Sequence, residues 1–324
     1  MSTANIHFNQ QIIASDGQSV LTALLKRGHA IPYSCQSGVC HSCLMICDKG
    51  TLPTTATAGL STEQRRQGLF LSCSCIPGED LWVSRYDLDA IKIPAKVIDK
   101  QLLNNEVMAL ILKADVSFRA GQFMTLWRDA TTARCYSLAR PFNSDHLLEF
   151  HLRLWPNGAF SHWARHSLKP GDHLALQGPE GDSYYRDDDP TMPLLLAATG
   201  TGLAPVYAIA REALARGHTG PIHLIIGSRD PKHFYYLAEL QALGREPRVH
   251  IHLLAQALDQ GDTAPPMVVA ADIYAFVRNQ FSELRDYQIH LAGAESFVQK
   301  MRKVCFMAGA SPRQVYADAF TRGH

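Results

Sequence analysis

The chain has 324 residues, 31 Lys and Arg against 30 Asp and Glu, a net charge of +1, and 46% hydrophobic and 19% charged residues. That balance excludes an intrinsically disordered chain, and the lack of a basic block excludes nucleic acid and anionic membrane surfaces as partners. At roughly 100–200 residues per domain, the length calls for two or three units, each with its own core.

The segment Met1 to His7 lacks the basic stretch and apolar run of a secretory signal, so the protein reads as cytoplasmic. Asn5 to Asn9 and Gln11 to Ser15 read as strands, turned at Asp16-Gly17. A helix is predicted from Ser19 to Arg27, stopped by Gly28, with Val20, Leu21, Leu24 and Leu25 on one face.

Eight cysteines are unevenly spread, six of them between Cys35 and Cys75, with only Cys135 and Cys305 beyond. In a reducing compartment such a cluster points to a metal site before a disulfide framework. Cys35-Gln36-Ser37-Gly38-Val39-Cys40-His41-Ser42-Cys43 has the spacing C-x4-C-x2-C of a plant-type [2Fe-2S] loop. Three thiolates from one tight loop must converge on the cluster, and Gly38 lets the backbone fold closely around it. Cys73, after twenty-nine intervening residues, is the expected fourth ligand, with Cys75 the alternative; Cys47 and Cys75 otherwise read as small buried apolar residues. The same four thiolates could hold a zinc ion.

Leu81-Trp82-Val83 reads as a closing strand and Asp87 to Pro94 as a linker, placing a boundary near residue 90. From there short strands (Ala95 to Ile98, Val107 to Leu112) alternate with Gly and Pro turns at residues 120–122, 169–172 and 178–181, which predicts a β-barrel. Within it, Arg134-Cys135-Tyr136-Ser137 reads R-x-Y-S. A guanidinium there can pair with pyrophosphate, a ring can lie on an isoalloxazine face, and a hydroxyl can reach a ring nitrogen. Gly158-Ala159-Phe160-Ser161 reads G-x-x-S, suited to close backbone approach to phosphate. Taken singly, either stretch is also what an ordinary barrel strand could carry.

Asp187 to Pro190 marks a second linker, after which apolar strands at residues 193–198, 222–227, 249–254 and 288–292 alternate with helical stretches, as in a parallel α/β domain. The apolar window Leu194 to Ala210 is broken by Thr199-Gly200-Thr201-Gly202 and Pro205, so no transmembrane helix is predicted. The same break is a strand, glycine turn and helix start whose N–H groups can face phosphate. It lacks the third glycine of a Rossmann fingerprint and by itself could be a tight connection.

The order of these motifs is similar to that of the ferredoxin–NADP⁺ reductase superfamily over residues 95–324, and residues 1–90 resemble a plant-type ferredoxin. The resemblance implies three domains: a ferredoxin β-grasp unit (1–90), an FAD-binding antiparallel β-barrel (91–188) and a parallel α/β NAD(P)-binding unit (189–324). It implies that Arg134 holds FAD phosphate, Tyr136 stacks on the flavin, Ser137 neighbours its N5, and Gly158 and Ser161 approach the pyrophosphate. Gly200, Thr201 and Gly202, with Arg229 and Gly293, would contact the nucleotide. Phe320 would cover the flavin until nicotinamide displaces it, with Asp318 near Ser137; alternatively Phe320 only packs a final strand.

Four positions depart from the family pattern. Relatives carry Cys-Gly-Pro where this chain has Ala292-Gly293-Ala294, so slower hydride transfer or a shifted nucleotide is expected. His41 replaces a small residue and Gln36 an Arg, changes able to alter cluster potential or partner docking. Ala255-Gln256-Ala257-Leu258-Asp259 lacks the Ser-Arg and Lys-x-Tyr that NADP-specific relatives place there, which favours NADH over NADPH.

The implied path runs from NADH to FAD to the [2Fe-2S] cluster, since flavin accepts two electrons and releases them singly. The module order resembles the reductase components of bacterial multicomponent oxygenases, so the expected partner is an electron-acceptor protein, an oxygenase component. A deoxysugar dehydratase system or a separate carrier is the alternative acceptor, and a redox-sensing module without turnover the alternative function.

Overall fold

The computed structural model describes residues 4–257 and 267–321. Leu258 and Asp259, on which part of the NADH preference rests, lie outside the described residues.

The first unit is a mixed five-stranded sheet. It comprises β1 (Asn5–Phe8), β2 (Gln11–Ala14), α1 (Val20–Lys26), β3 (Leu44–Lys49), α2 (Thr62–Arg66), β4 (Leu69–Leu71) and β5 (Leu81–Arg85), in the order β2-β1-β5-β3-β4. β1 and β5 run parallel while the other pairs are antiparallel, the arrangement of a β-grasp. α1 starts where the Ser19 side chain accepts the Thr22 N–H, and Gly28 leaves the helix at φ +82°. Its buried face is Val20, Leu21, Ala23 and Leu24. Leu25, expected on that face, is half-buried at its edge, because Ala23 takes the inward position.

The stretch expected to be a linker is instead a 3₁₀ turn at Leu88–Ile91 that runs directly into the first barrel strand. β6 (Ile93–Leu102), β7 (Val107–Lys113), β8 (Phe123–Trp127), β9 (Ala133–Ser137), β10 (Leu147–Arg153), α3 (Ala159–His166) and β11 (His173–Glu180) follow. The strands pair antiparallel in the order β10-β7-β6-β11-β8-β9. A bridge between Leu138 and Phe150, with the Ala139 N–H donating to Glu149 O at 2.8 Å, joins the two edges into a barrel.

The third unit comprises β12 (Leu194–Thr199), α4 (Leu203–Ala215), β13 (Ile222–Ser228), α5 (Leu237–Leu243), β14 (Val249–Ala255), β15 (Val268–Ala270), α6 (Ile273–Gln280), β16 (Gln288–Ala294), α7 (Glu295–Met307) and β17 (Val315–Phe320). All six strands are parallel, ordered β15-β14-β13-β12-β16-β17, with apolar cores on both faces. β15 has three residues, too few for any periodicity to announce it.

The ferredoxin unit is seated on the barrel. Trp127 at the end of β8 and Ala133 at the start of β9 belong to the apolar core built around β1, α1 and β5. Tyr33 pairs in a parallel bridge with Thr132, and Lys92 Nζ lies 4.2 Å from the centre of the Trp127 ring. No helix among the described residues is long and apolar enough to cross a membrane.

Candidate redox site

The cysteine loop occupies residues 35–43, between α1 and β3, and its turns need left-handed backbone at three places: Gln36 (φ +54°), Gly38 (φ +79°) and His41 (φ +54°). Only Gly38 adopts this without strain, and a Cβ there would stand 2.6 Å from Ser74 Oγ. Two non-glycine residues held in this region, and the contact of His41 Nδ1 with Glu180 Oε1 at 3.1 Å across to the barrel, indicate a loop fixed by its surroundings. The four expected ligands come together as two pairs. The Cys35 N–H donates to Cys40 Sγ at 3.5 Å, and Ser72, beside Cys73, donates its hydroxyl and its N–H to Cys43 O at 2.8 and 3.2 Å. Their sulfurs also meet donors of the loop: Ser37 N–H to Cys35 (3.4 Å), Ser42 Oγ at Cys40 (3.0 Å) and Ser74 Oγ at Cys73 (3.4 Å).

That donor set fits a two-iron cluster, with two thiolates for each iron and hydrogen bonds to the sulfurs. The Cys43 and Cys73 thiols shift apart, Cys73 held below its ordinary value by its partner while burial and Cys73 push Cys43 well up. Cys40 is raised to about 11, above all by a hydrogen bond with Cys135. Cys75 is fully buried, and Cys47, half-buried, faces Lys49 O at 3.5 Å.

Beside the loop a cleft opens where the three units meet. Arg134, Tyr136 and Ser137 of β9 form its floor, Thr201 and Ala204 one wall, Asp318 and Phe320 of β17 another, and Cys35 and Val39 a third. The Ser137 hydroxyl donates to Asp318 Oδ2 at 2.6 Å. Burial raises the Asp318 carboxyl to about 6, against the opposing effect of that hydrogen bond. Tyr136 packs at 5.5 Å, centre to centre, on Phe160 in the first turn of α3. The Arg134 guanidinium donates to Ala133 O at 2.7 Å and stands on the cleft wall. Gly158 precedes α3, which has no side-chain cap, so its first N–H groups are available to an anion. An aromatic floor, a cation beside it and uncapped N–H groups suit a flavin with its phosphates.

The glycine turn lies at the switch point of the parallel sheet, where β12 is flanked by β13 and β16 and strand order reverses. Two glycines make this crevice possible. A Cβ on Gly202 would meet Ala292 O at 2.2 Å, and one on Gly293 (φ +139°) would meet Thr199 Oγ1 at 2.5 Å. α4 likewise begins without a side-chain cap. Gly200 is exposed at φ +58°, leading into the turn.

The structure thus gathers Arg134, Tyr136, Ser137, Thr201, Asp318, Phe320 and Cys35 around one cleft, with Gly202 and Gly293 packed behind it. Gly158, Ser161 and Arg229 are not on its wall. Ser161 is buried and its hydroxyl accepts the Trp155 N–H at 3.2 Å, while Arg229 is exposed beyond β13. Sequence reasoning passed over Cys135, Ser34, His151 and Thr321, all on the cleft wall. The Thr321 hydroxyl donates to Cys35 O at 3.0 Å, tying the end of the third unit to the cluster loop. Only Cys135 had a signal, as the variable residue of R-x-Y-S.

Three families match in succession: the 2Fe-2S iron-sulfur cluster binding domain over residues 6–78, the oxidoreductase FAD-binding domain over 94–185 and the oxidoreductase NAD-binding domain over 196–303. The chain is 30% identical over 328 residues to terephthalate 1,2-dioxygenase, reductase component 1, of Comamonas sp, covering 97% of this chain and 96% of that one. It is 30% identical over 327 residues to the ferredoxin–NAD(P)(+) reductase component of the naphthalene 1,2-dioxygenase system of Pseudomonas putida, covering 97% of each. The ferredoxin reductase in carbazole 1,9a-dioxygenase has a similar structure, with a TM-score of 0.67 at 27% identity over 99% of both chains. The chain therefore belongs to the ferredoxin–NAD(P)⁺ reductases that join a plant-type [2Fe-2S] domain to FAD-binding and NAD-binding domains, a family that includes reductase components of oxygenase systems.

Proposed function

We propose that this chain takes hydride from NADH onto FAD in the central cleft and delivers single electrons through the [2Fe-2S] cluster to an oxygenase component in the cytoplasm. The carrying observation is that one cleft has the flavin strand as its floor and the nucleotide turn, the terminal strand and the cluster loop as its walls. A flavin bound there would have the nucleotide turn and the cluster loop beside it in one cleft.

Within this reading Tyr136 supports the flavin ring, and Arg134 with the first turn of α3, opening at Gly158 and Ser161, takes the pyrophosphate. Ser137 and Asp318 hold and move the proton at the flavin N5, Asp318 serving as the terminus of a short hydrogen bond that is already formed. Phe320 covers the ring until nicotinamide displaces it. Gly200, Thr201, Gly202, Gly293 and Arg229 line the nucleotide path. Cys35, Cys40, Cys43 and Cys73 ligate the cluster, and Ile76, 57% accessible and three positions beyond Cys73, offers an apolar surface to a protein acceptor. The oxygenase as partner rests on what the relatives serve.

The test is an anaerobic absorption titration of the purified holoprotein with NADH and then NADPH. Bleaching of overlapping flavin and [2Fe-2S] bands by stoichiometric NADH is expected, with NADPH much slower. Bands that NADH leaves unchanged would overturn the reading.

A further inference from the structure

The end of β17 joins the other two units at the cleft. Asp318 accepts the Ser137 hydroxyl of the flavin strand at 2.6 Å, Phe320 stands on the cleft wall, and Thr321 donates its hydroxyl to Cys35 O at 3.0 Å. The same strand pairs with β16 at the nucleotide crevice, Asp318 opposite Ala292, Ala319 opposite Gly293 and Phe320 opposite Ala294. At the far side of the Thr321 bond, the Cys35 carbonyl belongs to the peptide unit that Gln36 continues, and Gln36 is held at φ +54°. A glutamine keeps left-handed backbone only where its surroundings impose it. The residues just before it are held from the barrel, by the bridge of Tyr33 with Thr132 and by Ser34 Oγ at 3.3 Å from Cys135 Sγ. The tie from the third unit falls instead on the carbonyl that enters the strained turn.

Phe320 and Thr321 are neighbours in the chain, so a ring that takes the place of Phe320 in the cleft shifts the peptide between them and with it the Thr321 hydroxyl. A hydrogen bond of 3.0 Å tolerates little of that movement. We propose that Thr321 is a positioning residue that couples the nucleotide crevice to the cluster loop. While Phe320 covers the cleft, Thr321 holds the Cys35 carbonyl and the left-handed turn at Gln36; entry of a nicotinamide ring releases both. The coupling is reciprocal, so a loosened loop also favours nicotinamide entry. The proposal rests on the reading that Phe320 yields its place to nicotinamide.

The experiment is hydrogen–deuterium exchange, read by mass spectrometry, on holoprotein carrying iron, sulfide and FAD. It is run alone, with saturating NAD⁺, and with saturating ADP-ribose, which lacks the nicotinamide ring. Exchange in the peptide covering residues 33–39 is expected to rise about fivefold with NAD⁺, the effect of losing one hydrogen bond of ordinary net strength, and to stay unchanged with ADP-ribose. Thr321→Val keeps the shape and loses the donor, so it is expected to show the raised exchange without nucleotide and no further rise with NAD⁺. Thr321→Ser keeps the donor and is expected to behave as wild type. Wild-type exchange in Thr321→Val, or a serine variant that behaves as the valine one, overturns the proposal. So does an equal rise with ADP-ribose, or a wild-type loop that does not respond while NAD⁺ protects residues 199–203, the sign that nucleotide is bound. Absence of that protection overturns the reading of the crevice itself and the coupling with it, a result distinct from an unresponsive loop.

Discussion

At the residue scale the site is made by side chains that are ordinary in sequence and unusual in place. Asp318 is an example: as a free carboxyl it would ionise near 3.8, but burial on the cleft wall raises it to about 6. The folded chain therefore binds its proton more tightly than the unfolded one between these values, and stability falls as pH rises through that window, the contribution being fully present below the unfolded value. Asp318→Asn removes this dependence. The melting temperature of the flavin-free variant, followed by circular dichroism, is expected to overtake that of wild type progressively from about pH 4 to pH 6 and to keep its lead above. A gap that does not vary with pH would show that the carboxyl titrates normally. Neither this shift nor the contact of Cys135 with the cluster loop was legible from sequence, because Cys135 and Ser34 are separated by 101 positions.

At the scale of elements, sequence was a good guide wherever a local rule acts. Ser19 and Gly28 bound a helix because one supplies a cap and the other tolerates left-handed backbone. The alternation of strands and glycine turns in the second unit is a barrel, and the apolar runs in the third are buried parallel strands. The linker expected at Asp87 to Pro94 is mostly structured, because Leu88 is buried in the ferredoxin core and Ile93 pairs at once with Leu176. The glycine turn fits at the switch point only because β12 and β16 approach so closely there. Gly202→Ala brings a Cβ against the main chain of Ala292, which cannot step aside. A loss of about 1–3 kcal/mol in denaturant unfolding is expected, together with a raised KM for NADH. Gly200→Ala, with nothing near its Cβ, is expected to cost less, through φ alone.

At the scale of the whole molecule, the three units act as one because the ferredoxin unit is anchored rather than tethered. Trp127, 2% exposed, lies in the ferredoxin core although β8 belongs to the barrel, and the contact of His41 with Glu180 and the bond from Thr321 to Cys35 O close the same joint. Trp127→Ala is expected to cost about 3–5 kcal/mol and to loosen this seat. Limited trypsin digestion would register it as faster cleavage at Lys92, whose side chain is 14% exposed against Trp127 in the intact protein. Cleavage at the wild-type rate would mean that the seat does not depend on the ring.

The sequence by itself determined the cofactor chemistry and the order of the modules, through the specific spacing C-x4-C-x2-C and through the family resemblance that R-x-Y-S, G-x-x-S and the glycine turn carry in succession though none does singly. What only the tertiary structure decided is the meeting of these motifs: that Asp318 lies under Ser137, that Cys35 and Val39 wall the same cleft as Tyr136, and that Cys135 touches Ser34 at the start of the cluster loop. Those contacts join residues of different domains, and they arise from the packing of whole elements against one another, which no local pattern of residue types specifies.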